Sequence, residues 1–354
     1  MHSYYSLILF SSILNLTVIL SQDAKGPGIS SCIFFGERTE DYCGLSKVLI
    51  KDIPEKCTCV IYFGVYMDLK YNATNSDNTN DFALLDDMLN SGKCVMIYYS
   101  HTPQEWATVL ASISSNEKNN SFDEMEALQT FFDEHPKIAG VILIGLQYNS
   151  KYDEILELSE KLKKYLELME KTYPELAIGI DFRGQFLIDH YANPIIKWLN
   201  INDIDCAVDF YVVSLEFFNP CYADLRNTGT VPIKGKANYT LDKLKGVLQK
   251  ASFPNKKIYF KFKTNPVSIN DNLTICDLNN EKMCEEPQEA CDWCADTTVS
   301  YNEKGKFSAD NGAGFMVRYI DYDDPDNCCR CATPYPAFNA ILDVQPLSSF
   351  DFKW

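Results

Sequence analysis

Short apolar runs rich in β-branched residues recur eight times along this chain of 354 residues, and amphipathic stretches separate them. In the clearest such stretch, 152–171, apolar residues recur every three or four positions, which is typical of a helix with one buried face. This alternation predicts parallel strands joined by crossover helices, and eight units predict a (β/α)8 TIM barrel, a fold of about 250 residues. The predicted strands are 32–36, 60–65, 94–99, 140–145, 177–182, 206–214, 257–262 and 314–320.

The N-terminus has the pattern of a secretory signal peptide. Residues 7–20 are mostly apolar, and a break at 21–24 follows them. The run is shorter than the roughly 20 apolar residues of a membrane span, so we expect cleavage rather than anchoring. The prediction is a signal peptide over 1–21, a barrel domain over 29–354, and a secreted, extracellular monomer with no membrane anchor.

Composition agrees with export and excludes one class of partner. All fourteen Cys follow the signal segment, an even number that favours disulfides in an exported chain. The net charge of −17 excludes nucleic acid as a partner, because phosphates would be repelled. Four N-glycosylation sequons lie in polar stretches suited to surface loops. They begin at Asn72, Asn119, Asn238 and Asn272.

The region 265–311 interrupts the strand and helix rhythm and contains four Cys, which predicts a Cys-rich insertion between the seventh and eighth strands. Cys291 and Cys294, with Cys328, Cys329 and Cys331, could supply four thiolates to zinc. Secretion favours disulfides instead. We therefore predict no metal site and no cofactor.

The segment 138–148, IAGVILIGLQY, resembles the fourth strand of the chitinase-like glycoside hydrolases of family 18. That strand has the approximate pattern D-G-x-D-x-D-x-E-Y, and Gly140 matches its glycine. In this chain the acid positions carry no acid. Without a gap they fall on Ala139, Ile142, Ile144 and Leu146; with one inserted residue, the last three fall on Leu143, Gly145 and Gln147.

Three further stretches resemble the same family in the expected order. CIFFG with KCTCVIYFGVY is similar to the first two strands, and the resemblance implies a disulfide between Cys32 and Cys57. DFYVVSLEFF is similar to the sixth strand, and GAGFMVRYIDYDD with YPAFNAILDV is similar to the eighth strand and closing helix. The family's Met-x-Tyr-Asp group and its pocket Trp are replaced. Those positions hold Ser214, Leu215, Glu216, Phe217 and Arg318.

The resemblance implies a substrate-assisted mechanism, in which an acid protonates the glycosidic oxygen and the substrate's acetyl oxygen is the nucleophile. Leu146 has no proton to give, and the amide of Gln147 is far too weak an acid. We therefore expect a catalytically inactive member. Such members bind chitin oligomers, or act as growth-factor-like or immune-modulating proteins.

Polar and aromatic residues nevertheless follow the predicted strands, where barrel sites lie. Because strand side chains alternate, Lys261 and Lys263 should share one face, and Asp181 and Arg183 another. These charges either form a rebuilt pocket for a polar ligand or neutralise one another as structural ion pairs. The candidate ligand-binding residues are Tyr98, His101, Gln147, Tyr148, Asp181, Arg183, Glu216, Lys263 and Arg318.

Two other functions stay open at this stage. Asp181 and Glu216 could be the paired acids of a retooled glycosidase, if they lie about 5–9.5 Å apart across an open cleft. Alternatively, the Cys-rich insertion could be the surface of a protein-binding effector. The expected partners are accordingly a glycan ligand or another protein.

Overall fold

Eight parallel strands close into a barrel in the computed structural model, which describes residues 25–36, 46–113, 120–146, 158–192, 199–268 and 293–345. Closure is direct, because β1 pairs with both β2 and β11. The predicted (β/α)8 fold is thereby confirmed. The barrel strands are β1 Ser30–Phe34, β2 Cys59–Met67, β4 Cys94–Ser100, β5 Ile138–Ile144, β6 Ala177–Arg183, β7 Phe210–Ser214, β8 Ile258–Lys263 and β11 Gly314–Arg318.

Their order around the barrel is β1, β2, β4, β5, β6, β7, β8 and β11. A short strand, β3 (Ala73–Thr74), adds to β2 in antiparallel orientation. The predicted sixth strand, 206–214, begins later than expected, because Asp205–Ala207 forms a 3-10 turn before Phe210.

Helices cover the outside of the barrel, and local sequence explains their ends. The Thr102 side chain accepts a hydrogen bond from the Glu105 amide in a capping box, and Pro103 opens the helix that follows. The Thr240 side chain caps another helix by accepting a hydrogen bond from the Lys243 amide. The helices are α1 Ala83–Asn90, α2 Pro103–Ser112, α3 Asn120–Glu134, α4 Leu158–Thr172, α5 Gly184–Ala192, α6 Ile201–Ile204, α7 Leu241–Lys250, α8 Thr298–Asn311 and α9 Pro336–Leu342.

The predicted insertion extended too far toward the C-terminus. Its last part, 298–311, is helix α8, which packs on α9 and β11 as part of the helical ring. Apart from Tyr301, the buried face carries Lys304, Gly305, Ser308 and Asn311 rather than apolar residues, so hydrophobic periodicity does not reveal it. A side chain at Gly305 would place its Cβ 2.3 Å from the Ile341 carbonyl oxygen, which explains the need for glycine.

Three disulfides fasten the described part of the fold. Cys32 and Cys57 join β1 to the start of β2, the pairing that the resemblance implies. Cys59 and Cys94 join β2 to β4. Cys221 pairs with Cys294 in β10 (Trp293–Cys294), which itself pairs with β9 (Val267–Ser268).

The Cys221–Cys294 disulfide removes Cys294 from the set of thiolates considered for zinc. In the ranges given above, no group of three or more Cys, His, Asp or Glu side chains is arranged to hold a metal. Nor does any helix within those ranges have the length and apolar character needed to cross a bilayer. Several predictions fall outside the described residues. They concern the signal peptide 1–21, Gln147, Tyr148, Asn119, Asn272, Cys276, Cys284 and Cys291.

Candidate functional site at the barrel mouth

The strand that carries the family resemblance directs isoleucines into the barrel. Ile142 and Ile144 of β5 pack in the interior cluster with Met96 and Tyr98. Leu146, two residues beyond Ile144, belongs instead to the apolar layer between barrel and helices and is buried there. The inward face of β5 is therefore apolar up to its end.

Two carboxylates and one ammonium form the centre of the mouth. The Lys261 ammonium donates to Asp181 Oδ2 at 2.6 Å and lies 3.0 Å from Glu216 Oε1. All three side chains are buried. Lys261 faces inward, whereas Phe260 and Phe262 of the same strand pack in the outer layer, because side chains alternate along a strand. The charges of β6, β8 and the residues after β7 thus meet inside the barrel.

Arg318, at the end of β11, completes this network by an ion pair with Glu216. Its guanidinium also lies 5.3 Å from the Phe63 ring centroid and 4.5 Å from that of Tyr319. The Arg318–Tyr319 peptide bond is cis. A partly buried guanidinium between aromatic rings is a favourable arrangement, because the ring faces carry negative quadrupole charge. Phe63 did not emerge from sequence reasoning, although inward alternation along β2 marks its position.

Tyr98 links the network to β4. Its hydroxyl donates to Asp181 Oδ2 at 2.8 Å and accepts from the Lys261 ammonium at 3.2 Å. Burial, together with the Asp181 charge, raises the pKa of the Tyr98 hydroxyl above its ordinary value. Burial alone would lower the pKa of Lys261, but the contacts with Asp181 and Tyr98 raise it overall. Tyr98 therefore stays neutral and Lys261 stays charged at physiological pH.

Lys263 differs from the other charged residues of the mouth. It lies on the same face of β8 as Lys261 and beside Arg318, its partner in the β8–β11 register. It is half-buried, and no acceptor or carboxylate in the described part of the chain contacts its ammonium. Burial lowers the pKa of Lys263 to about 8.

His101 does not face the barrel interior. It is buried between the barrel and the helices, where its Nε2 lies 3.1 Å from Glu124 Oε1 of α3. The same oxygen accepts from the hydroxyls of Tyr99, at 2.8 Å, and Tyr165, at 2.5 Å. Sequence reasoning missed Glu124, because an acid on an amphipathic helix is expected to face solvent.

The rim beside the network exposes aromatic rings. Phe217 is 57% exposed, and the exposed Arg183 lies 5.3 Å from its ring centroid. Tyr222 is 61% exposed, and both aromatic rings line an adjoining pocket of about 350 Å³ together with Tyr239. Of the described candidate residues, the structure gathers Tyr98, Asp181, Glu216, Lys263 and Arg318 at the mouth, places Arg183 on its rim, and separates His101 from them.

The sequence matches no protein-family model and no curated protein, but the fold matches solved chitinase structures. The Group IV chitinase of Ostrinia furnacalis superimposes with a TM-score of 0.70 at 14% identity, covering 90% of this chain and 99% of that chain. The immunomodulatory active chitinase of Trichuris suis gives 0.68 at 13% identity, with the same coverage of both chains.

Human YKL-39, described as a pseudo-chitinase with retained chitooligosaccharide binding properties, gives a TM-score of 0.66 at 14% identity over 90% of this chain and 99% of that chain. The class that the fold defines is therefore the chitinase-like (β/α)8 barrel. Active enzymes and a pseudo-chitinase share this fold, so function has to be argued from the site.

Proposed function

We propose that this chain is a secreted, non-catalytic chitinase-like protein that binds a glycan at the mouth of its barrel. The observation that carries the proposal is the pairing of Asp181 and Glu216 with Lys261 and Arg318. A general acid must hold a transferable proton at the scissile bond. Carboxylates that are buried in ion pairs, Asp181 with Lys261 and Glu216 with Lys261 and Arg318, are not placed to hold such a proton at a bound substrate.

The inward face of β5 supports the same conclusion. Ile142 and Ile144 occupy the interior positions near the end of the strand, and neither can donate a proton. The hydrolytic mechanism of the chitinases depends on an acid from this strand. The proposed loss of catalysis therefore depends on two regions of the barrel, the inward face of β5 and the ion pairs of Asp181 and Glu216, rather than on one residue.

Binding is supported by the aromatic rim. Phe217 and Tyr222 are largely exposed beside a pocket of about 350 Å³, a size that suits one or two sugar rings. Exposed aromatic faces stack on the apolar faces of sugars. YKL-39, a pseudo-chitinase of the same fold, binds chitooligosaccharides, and we extend glycan binding to this chain on that basis.

The retooled glycosidase is not favoured, because Lys261 fills the space between the two acids that would flank a bond. The effector alternative stays a prediction, since most of the Cys-rich segment lies outside the described residues. Secretion is part of the proposal, and three disulfides suit an oxidising compartment. So do exposed sequon asparagines at Asn72 and Asn238.

The test is to incubate the purified protein with chitin hexamer, measuring binding by calorimetry and cleavage by mass spectrometry. We expect binding without cleavage, and weaker binding for the double variant Phe217→Ala/Tyr222→Ala. The matched control is Val299→Ala, which changes an exposed apolar residue of α8. Sustained turnover that pocket blocking abolishes would overturn the non-catalytic assignment, and absence of binding across a glycan panel would overturn the binding assignment.

A further inference from the structure

One sector of the barrel mouth has more cations than carboxylates, although the chain as a whole has a net charge of −17. On the inward faces of β6, β8 and β11, together with the residue two positions after β7, the described charged side chains are two carboxylates and four cations. The carboxylates belong to Asp181 and Glu216. The cations belong to Arg183, Lys261, Lys263 and Arg318.

Both carboxylates are already engaged in ion pairs with Lys261 and Arg318. Asp181 accepts from Lys261, and Glu216 is shared between Lys261 and Arg318. Lys263, next to Arg318 in the strand register, is left without a counter-charge among the described residues. A half-buried ammonium without an acceptor is costly, since it loses hydration without gaining a partner.

A purely structural role does not explain this residue. Lys261 is more deeply buried than Lys263, yet it contacts two carboxylates and a tyrosine hydroxyl. The fold therefore satisfies a buried lysine where the lysine is structural. Lys263 is partly open to solvent at the mouth, where a bound group could reach it.

Resting on the proposed glycan-binding function, we infer that the glycan is acidic and that Lys263 binds its carboxylate or sulfate group. Arg183 lies on the rim against Phe217, so it adds a second positive charge beside the aromatic surface that would stack on the sugar. A sulfate ester and a uronate carboxylate both place an anionic oxygen group on a sugar ring, and either group could bind the Lys263 ammonium.

The test compares three hexasaccharides by calorimetry at pH 7. One alternates N-acetylglucosamine with glucuronate, one is a 6-O-sulfated chitin oligomer, and one is neutral chitin hexamer. We expect at least one acidic oligomer to bind about tenfold or more tightly than the neutral one, as one charge-assisted hydrogen bond provides. The two acidic oligomers distinguish carboxylate from sulfate.

The variant Lys263→Met should lower the affinity for the preferred acidic oligomer about tenfold, to that for neutral chitin hexamer, and so abolish the preference. Lys250→Met, which removes an exposed lysine at the end of α7, should change neither affinity. A second measurement is the rate of amine labelling at Lys263, read by mass spectrometry. The acidic oligomer should slow that labelling, whereas the neutral oligomer should not.

The possible failures are distinguishable. If chitin hexamer binds but no acidic oligomer binds more tightly, or if Lys263→Met keeps the preference, the inference about Lys263 is wrong and the proposed glycan binding stands. If the chitin hexamer and both acidic oligomers all fail to bind, the inference and the proposed glycan binding both fail.

Discussion

Asp181 and Glu216 share one ammonium, that of Lys261, at distances of 2.6 and 3.0 Å. The two acids lie on β6 and just after the neighbouring strand β7, and both are buried inside the barrel. Because Lys261 lies between them, their negative charges are compensated inside the barrel rather than available for proton transfer. The ion pairs on which the proposed loss of catalysis depends also matter for stability, because removing Lys261 would leave buried carboxylates without their cation.

Lys261→Met is expected to destabilise the protein by about 3 kcal/mol, because it leaves Asp181 buried without a cation. Urea denaturation monitored by tryptophan fluorescence measures this loss. Lys250→Met, at an exposed position, is the control and should change the free energy of unfolding by less than about 0.5 kcal/mol. Equal stability of the two variants would contradict the buried ion-pair network.

Stability should depend on the titration of Lys263 in alkaline solution. Burial lowers the pKa of Lys263 to about 8 in the folded protein, from 10.5 in the unfolded chain. Between these values the unfolded chain binds more protons, so the free energy of unfolding rises with pH. Relative to Lys263→Met, wild type should gain roughly 2 kcal/mol between pH 7 and pH 9.5.

The difference in free energy of unfolding between wild type and Lys263→Met reports the titration of Lys263 alone, because both proteins keep its charged neighbours. These are Lys261, Arg318, Glu216 and Asp181. The measurement is urea denaturation of both at half-unit pH intervals. A pH-independent difference would mean that Lys263 has an ordinary pKa in the folded protein.

Adding one acid to β5 should not create a chitinase. Ile144→Glu puts a carboxylate on the inward face, but Asp181 and Glu216 remain paired with Lys261 and Arg318. Leu146→Glu should in addition destabilise the fold by several kcal/mol, roughly the cost of a carboxyl group in an apolar layer. Gln147→Glu is likewise expected to be inactive. Chitin-oligomer hydrolysis by any of the three would show that the remaining pocket supports catalysis.

Glu124 should stabilise the layer between the barrel and the helices. Glu124→Leu removes the acceptor of the Tyr99 and Tyr165 hydroxyls and should cost about 3 kcal/mol. Glu124→Gln keeps an acceptor oxygen and should cost less than half as much. Thermal unfolding of both variants measures which loses more stability. An equal loss of stability in Glu124→Leu and Glu124→Gln would mean that packing, rather than hydrogen bonding, accounts for the effect of Glu124.

Much of the fold could be predicted from local pattern. Alternation along β8 predicted that Lys261 and Lys263 share one face, and the structure shows that Lys261 points into the barrel while Phe260 and Phe262 lie outside it. Helix α8 was not predicted, because its residues were assigned to the insertion. Small residues such as Gly305 and Ser308 on its buried face let the helix pack closely against α9 and β11, and small size leaves no hydrophobic pattern in the sequence.

The candidate site was predictable only as a set of residue types at strand ends. Sequence reasoning left open whether the charges form a pocket or ion pairs, and the structure pairs Asp181, Glu216, Lys261 and Arg318. It also offered His101 as a candidate ligand-binding residue, whereas that side chain is buried against Glu124 of α3. Spacing along the sequence predicts neither the ion pairs of the mouth nor the contact of His101 with Glu124, because the two residues of each contact lie more than twenty positions apart.

The sequence by itself determined the strand and helix alternation, which charged residues share a strand face, and the isoleucines at the end of β5, since these follow from local periodicity and residue chemistry. Only the tertiary structure decided which charges meet. Barrel closure brings residues 181, 216, 261 and 318 to one point, where distance and burial select the pairs. The same closure leaves Lys263 beside Arg318 without a carboxylate in the described structure, and this is the basis for expecting an acidic ligand.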